Sequence, residues 1–210
     1  LWVTVAASTA LFALLSAFSR IIWRLLPLLV PYLAQLALLE SVAVAIEPTP
    51  VLGQESPGFW IDLHIASSVL TYALLTLAAV AALAGVLQER ALKAKRPSAL
   101  TRTLPSLADS ERLQNRLLLW CLVVLGAGLL TGSAVLWAEH GLAWRLDHKT
   151  LFSVAAFVVI GLLLLVQAKT GVRGRGVARV VLVAYLLLTL AYPGVKFARE
   201  LPGALGVVGE

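Results

Sequence analysis

In the stretch FWIDLHIASSVLTYALL, residues 59–75, His64, Ser68 and Tyr72 recur at i, i+4 and i+8, with Ser67 and Thr71 beside them. On an α-helix that spacing forms one polar stripe. An imidazole next to hydroxyls can act as a base for a nucleophile, ligate a metal, or simply pack between helices. Nucleophilic catalysis needs the base and an oxyanion hole arranged around the serine, and the chain has neither a GxSxG nor an HExxH motif. His140 and His148 stand eight apart across a segment containing Gly141. They can be joined in a metal site, but the single Cys121 excludes any CxxC pair and few carboxylates accompany them.

The elements that position these residues follow from composition. Hydrophobic residues make up 60% of the 210, charged residues 13%, and the mean hydropathy is +0.92. A soluble domain carries about a quarter charged residues, so the chain reads as an integral membrane protein. A hydrocarbon core of about 30 Å takes roughly 20 apolar residues per helix. Six stretches qualify, at about 1–19, 25–46, 61–88, 117–138, 150–168 and 177–198. The expectation is an all-α, polytopic transmembrane bundle forming a single domain over 1–210. The chain starts at Leu1 inside an apolar run, without the basic n-region of a signal peptide, which reads as a truncated or processed N-terminus.

All but four of the 17 Lys and Arg fall in alternate connections, around Arg20 and Arg24, in ERALKAKRPSALTRTLPSLADSERLQNR, and in KTGVRGRGVAR. The four are Arg145, Lys149, Lys196 and Arg199. The positive-inside rule makes the rich side cytoplasmic. The net charge of +6 therefore reports topology, not a nucleic-acid surface. Trp23 and Trp120 then mark the inner boundary, and Trp2, Trp60, Trp137 and Trp144 the outer one. Ser106 and Asp109, after Pro105, have a capping spacing that suggests a short interfacial helix leading into the fourth span.

With that topology all three histidines lie toward the outer face, together with Trp60, Asp62, Trp144, Arg145, Asp147, Lys149 and Lys196. Polar groups inside lipid face the bundle interior, so the stripe of His64, Ser68 and Tyr72 should turn inward. A transporter would need a buried acid, and Glu40 in the second span is the one candidate. A large, flat, apolar ligand with a metal centre suits the outer residues better. Haem takes axial histidine, aromatic walls and cations near its propionates.

HIASSVLTYALL resembles the opening of a core helix in the cytochrome c assembly family, the CcsA and CcmC type of haem-handling membrane protein, with His64, Thr71 and Tyr72 at the matching places. GSAVLWAEHGLAWRLDHKTLFS stands where that family has its tryptophan-rich haem segment, with Asp147, Lys149 and Thr150 at the positions of its W-D-x-K-[ET] ending. LQERALK, LPSLADSERL, LDHKTLFS, GVRGRG and LAYPGVKF, in that order, are similar to blocks of a HemX-like or YpjD-like branch, whose members carry further helices ahead of Leu1. The resemblance thus implies six spans of an eight-helix protein. Leu146 replaces the family's tryptophan, QAKTG ends the fifth span without the intramembrane histidine, and Lys196 stands in place of the second external one. These departures separate the chain from a complete CcsA-type haem synthetase.

What the resemblance implies is an accessory role in cytochrome c biogenesis or haem homeostasis, in a bacterial inner membrane, with haem as cofactor or cargo at the outer face. His64 would be one axial ligand of the iron and His148 or His140 the second. Trp137 and Trp144 would wall the ring, and Arg145, Lys149 and Lys196 would meet the propionates, with Asp147 and Tyr72 in the same site. Partners would be membrane lipid and cytochrome c assembly components. A non-haem membrane scaffold that assembles or regulates a partner, and a small-solute or ion transporter, are the alternatives.

Overall fold

The computed structural model of the chain describes residues 2–18, 20–34, 59–140, 148–172 and 174–189; within these, the side chains of 2–5, 16–18, 20, 138–140, 148, 149, 175 and 189 lie outside the description. Every described element is a helix: α1 (Trp2–Phe18), α2 (Arg20–Trp23), α3 (26–34), α4 (Phe59–Ala94), α5 (Ala99–Thr103), α6 (Leu107–His140), α7 (His148–Thr170) and α8 (Arg175–Thr189). Three of the described helices are long and apolar enough to cross a membrane, within α4, α6 and α7. Shorter apolar helices occupy Ala6–Leu15 and Gly176–Leu188. The molecule is a helical membrane bundle.

α4 is its axis. Its middle is rich in alanine, the best helix former, and Ala73, Ala78, Ala81 and Ala84 are wholly buried. Small side chains let neighbouring backbones approach, which is what holds helices together where lipid is as apolar as the protein interior. α6 lies antiparallel against it: His64 meets Gly128, the Cys121 Sγ lies 3.8 Å from the Thr71 carbonyl, and Gly85 abuts Ser110 and Leu107. α7 runs antiparallel to α6, with Phe157 over Gly126 and Leu122 against Gly161. A turn through Gly171 and Gly174, at φ +67° and +88°, reverses the chain into α8; only glycine takes such angles without a Cβ penalty. The Tyr72 hydroxyl then donates to the Leu188 carbonyl at 2.6 Å, closing α8 onto α4.

α4, α6, α7 and α8 therefore form a four-helix ring. Outside it, α1 packs on α4, and α3 meets α8 through the hydroxyls and ring edges of Tyr32 and Tyr185.

One end of the ring collects the basic connections. Arg24 donates to the carbonyls of Thr103 and Arg102, at 3.0 and 3.3 Å, which fastens the turn between α2 and α3 to α5. Gln88 donates to the carbonyls of Thr101 and Pro105, at 2.7 and 2.9 Å, and so holds the same segment to α4. The Glu89 carboxylate lies beside Gly174 in the turn before α8. Three connections rich in Lys and Arg thus share one end.

The short interfacial helix differs from expectation. The Ser106 hydroxyl does accept the Asp109 amide, at 3.2 Å, but α6 runs on without a break from Leu107, because no breaker interrupts it before the apolar span. The short helix is α5, capped by Ser98 and Thr101 in a reciprocal box. The Leu104–Pro105 pair separates it from α6.

Candidate functional site

The inner face of α4 carries the polar stripe. At 100° per residue, the positions that meet α6 are Ser67, Thr71 and Gly85, and Tyr72 meets α8. His64 falls between those two directions, so it faces the interior of the ring. The stripe is internally bonded as well, since the Ser67 hydroxyl donates to the His64 carbonyl at 2.9 Å and the Thr71 hydroxyl to the Ser67 carbonyl at 2.8 Å. These two hydroxyls thus give their hydrogens to the backbone of their own helix and not to the imidazole.

The imidazole is different. His64 is half-buried, with Nδ1 3.0 Å from the Gly128 carbonyl oxygen. A carbonyl only accepts, so Nδ1 must carry the hydrogen, and in the neutral ring Nε2 then holds the lone pair. The Thr131 hydroxyl donates to the same carbonyl at 3.1 Å and lies 3.4 Å from Nδ1. A backbone carbonyl on one ring nitrogen is the usual outer support of a histidine that ligates a metal through the other.

Of the other residues singled out in the sequence, Tyr72 is on the same face as His64 and two turns deeper, held by α8. Trp137 is two-thirds exposed. It follows Gly132 by five residues, about 140° around α6, and so is turned away from His64; the structure does not bring the two together. His148 opens α7 and His140 closes α6, and neither side chain is among those described, nor is that of Lys149. The pairing of α6 with α7 puts the start of α7 level with about residue 135, roughly one turn beyond Gly132, whereas His140 stands about 12 Å beyond it. Trp144, Arg145, Asp147, Lys196 and Glu40 lie outside the described residues.

Gly128, Thr131 and Gly132 were absent from the sequence reading. Their signal was the GLLTG spacing, a small-xxx-small pattern that marks close helix approach in membranes.

A concavity lies at the basic end, lined by Gly85, Glu111, Gln114, Gln167 and Gly174 among others. Its volume of ≈ 10 Å³ holds about one water. Gln167, which lines it, has a buried side-chain oxygen without a hydrogen-bond partner among the described residues.

The fold is thus a helical membrane bundle with a histidine turned toward its interior. The chain belongs to the cytochrome c assembly protein family, whose model matches residues 1–202. Membership places it in cytochrome c biogenesis. Over 200 residues it is 61% identical to a protein of Azospirillum brasilense described as "Uncharacterized 28.8 kDa protein in nifR3-like 5'region", an alignment covering 95% of this chain and 73% of that protein. No solved structure matches the chain.

Proposed function

We propose that the protein handles haem during cytochrome c biogenesis, taking the iron on His64 at the end of the bundle opposite the basic connections. The observation that carries this reading is the hydrogen bond from His64 Nδ1 to the Gly128 carbonyl, which leaves Nε2 as a donor atom suited to iron. Haem would supply the metal centre and the flat apolar surface; Gly128 and Thr131 of the chain orient the imidazole. His148 is the better-placed second ligand, because α7 begins nearer the level of His64 than His140 stands. Arg145, Lys149 and Lys196 are the propionate partners and Trp144 a wall. The order of the LQERALK to LAYPGVKF blocks favours the HemX-like or YpjD-like branch.

Orientation follows from charge. The end that gathers Arg24, Arg90, Lys93, Lys95, Arg96 and Arg102 is cytoplasmic by the positive-inside rule, so His64 serves the outer face of a bacterial inner membrane. With Cys121 replaced by Ala, a cysteine at position 95 will react with an impermeant maleimide only after the membrane is opened. Labelling in intact cells would invert the account.

The function is tested in cells lacking the protein, by haem-staining gels of membrane cytochromes c. Reduced covalent haem, restored by the wild-type gene and not by His64→Gln, is the expected result. Full restoration by His64→Gln would favour a scaffold in which the histidine is dispensable.

A further inference from the structure

We infer that Gly132 is a positioning residue: its missing side chain forms a notch in α6 that receives the Cε1–Nδ1 side of the His64 ring, so that Gly128 fixes the tautomer and Nε2 is the atom presented. The inference rests on the haem reading for its purpose but not for its geometry. A Cβ built on Gly132 would lie 3.0 Å from His64 Cε1 and 3.3 Å from Nδ1. Both are tighter than side chains normally approach, so a Cβ there obliges the ring to give by a few tenths of an ångström, and the bond from Nδ1 to the Gly128 carbonyl is what that shift disturbs.

The other walls of the seat hold that carbonyl in place. Thr131, 8% exposed, places its hydroxyl on the same carbonyl, and a Cβ on Gly128 would meet Ser67 Oγ at 3.2 Å, so the two helices are already in contact one turn below. A ring displaced from the notch is left with the Thr131 hydroxyl, 3.4 Å from Nδ1, which can donate or accept and so fixes no tautomer. Among the described residues no hydrogen bond is made to Nε2. An imidazole freed from the carbonyl would sample both tautomers, and only the Nδ1–H form leaves Nε2 unprotonated.

Gly85 is the internal control. It lies in the same α4–α6 interface, yet a Cβ there would have ordinary contacts of 3.7 Å to Ser110 and 3.8 Å to Leu107. Alanine fits at 85 without adjustment, whereas at 132 the His64 ring must shift to admit it.

The test uses haem-free protein in lipid nanodiscs, with His140 and His148 replaced by Gln and the remaining histidine labelled with ¹⁵N. Wild type at 132 should show a pyrrole-type Nδ1 and a pyridine-type Nε2 at neutral to alkaline pH. Gly132→Ala should mix the tautomers, Gly132→Val should do so further, and Gly85→Ala should leave the pattern unchanged. Haem titrated into the same variants carrying native His140 and His148 should bind on the order of tenfold more weakly to Gly132→Ala, the scale at which outer supports of a ligating histidine act. A pyridine-type Nδ1 in the wild-type protein, or an unchanged pattern in Gly132→Ala, would overturn the inference even if haem binds. If the variants fail to insert, the wild-type spectrum alone decides. The expected tautomers with no haem bound by any variant would leave the seat standing and defeat the haem reading.

Discussion

His64→Gln should reduce bound haem to a tenth or less of the wild-type amount while leaving membrane insertion and helix content intact. Glutamine keeps a donor that can reach the Gly128 carbonyl, so the α4–α6 contact at that level survives. What it lacks is an imidazole nitrogen with a lone pair aimed away from that bond. The loss is therefore of a ligand and not of a fold, and the measurement is haem content per protein after purification, read beside circular dichroism. His148→Gln should lower haem content more than His140→Gln, given where α7 starts. Equal haem in wild type and His64→Gln would remove His64 from the site.

Ala78→Leu should be the most damaging single change in the bundle itself. Ala78 is wholly buried and lies one heptad from both Thr71 and Gly85, on the line of α4 that meets α6. Forcing three carbons into a filled interface costs about 1–3 kcal/mol, and no hydrophobic gain offsets it, since lipid already solvates leucine as well as the interior does. Titration with sodium dodecyl sulfate should show the lower midpoint. Because the same two helices hold the His64 seat, haem affinity should fall with it. Leu83→Ala, at a position 41% exposed on the same helix, should change neither. Equal midpoints for the two variants would mean that α4 and α6 are not packed as described.

The contrast between those two residues shows which parts of this molecule the sequence displays. Apolar runs reveal helices that cross a membrane, and the polar stripe at His64, Ser67, Thr71 and Tyr72 is visible because hydroxyls in such a run need an interior to face. Both readings depend on local pattern. Hydropathy is blind to where a helix stops once it leaves lipid: α4 continues to Ala94 through the Glu89–Lys93 pair, and α6 begins at Leu107 behind its Ser106 cap. It also reports the level of a residue and not its angle. Trp137 stands at the end of α6 away from the basic connections, yet it turns away from His64, because the face of α6 that meets α4 is set by Gly128 and Gly132. A glycine that matters by what it lacks leaves little trace in a list of chemically active residues.

The claim on which the rest depends is that this bundle binds haem through His64. Titrating ferric haem into purified protein in lipid nanodiscs, with absorption spectra recorded before and after reduction, tests it most directly. The account predicts a saturable Soret band that shifts and sharpens on reduction as a histidine-ligated haem does, and that is lost in His64→Gln. A spectrum indistinguishable from haem in empty nanodiscs, for the wild-type protein, would contradict it.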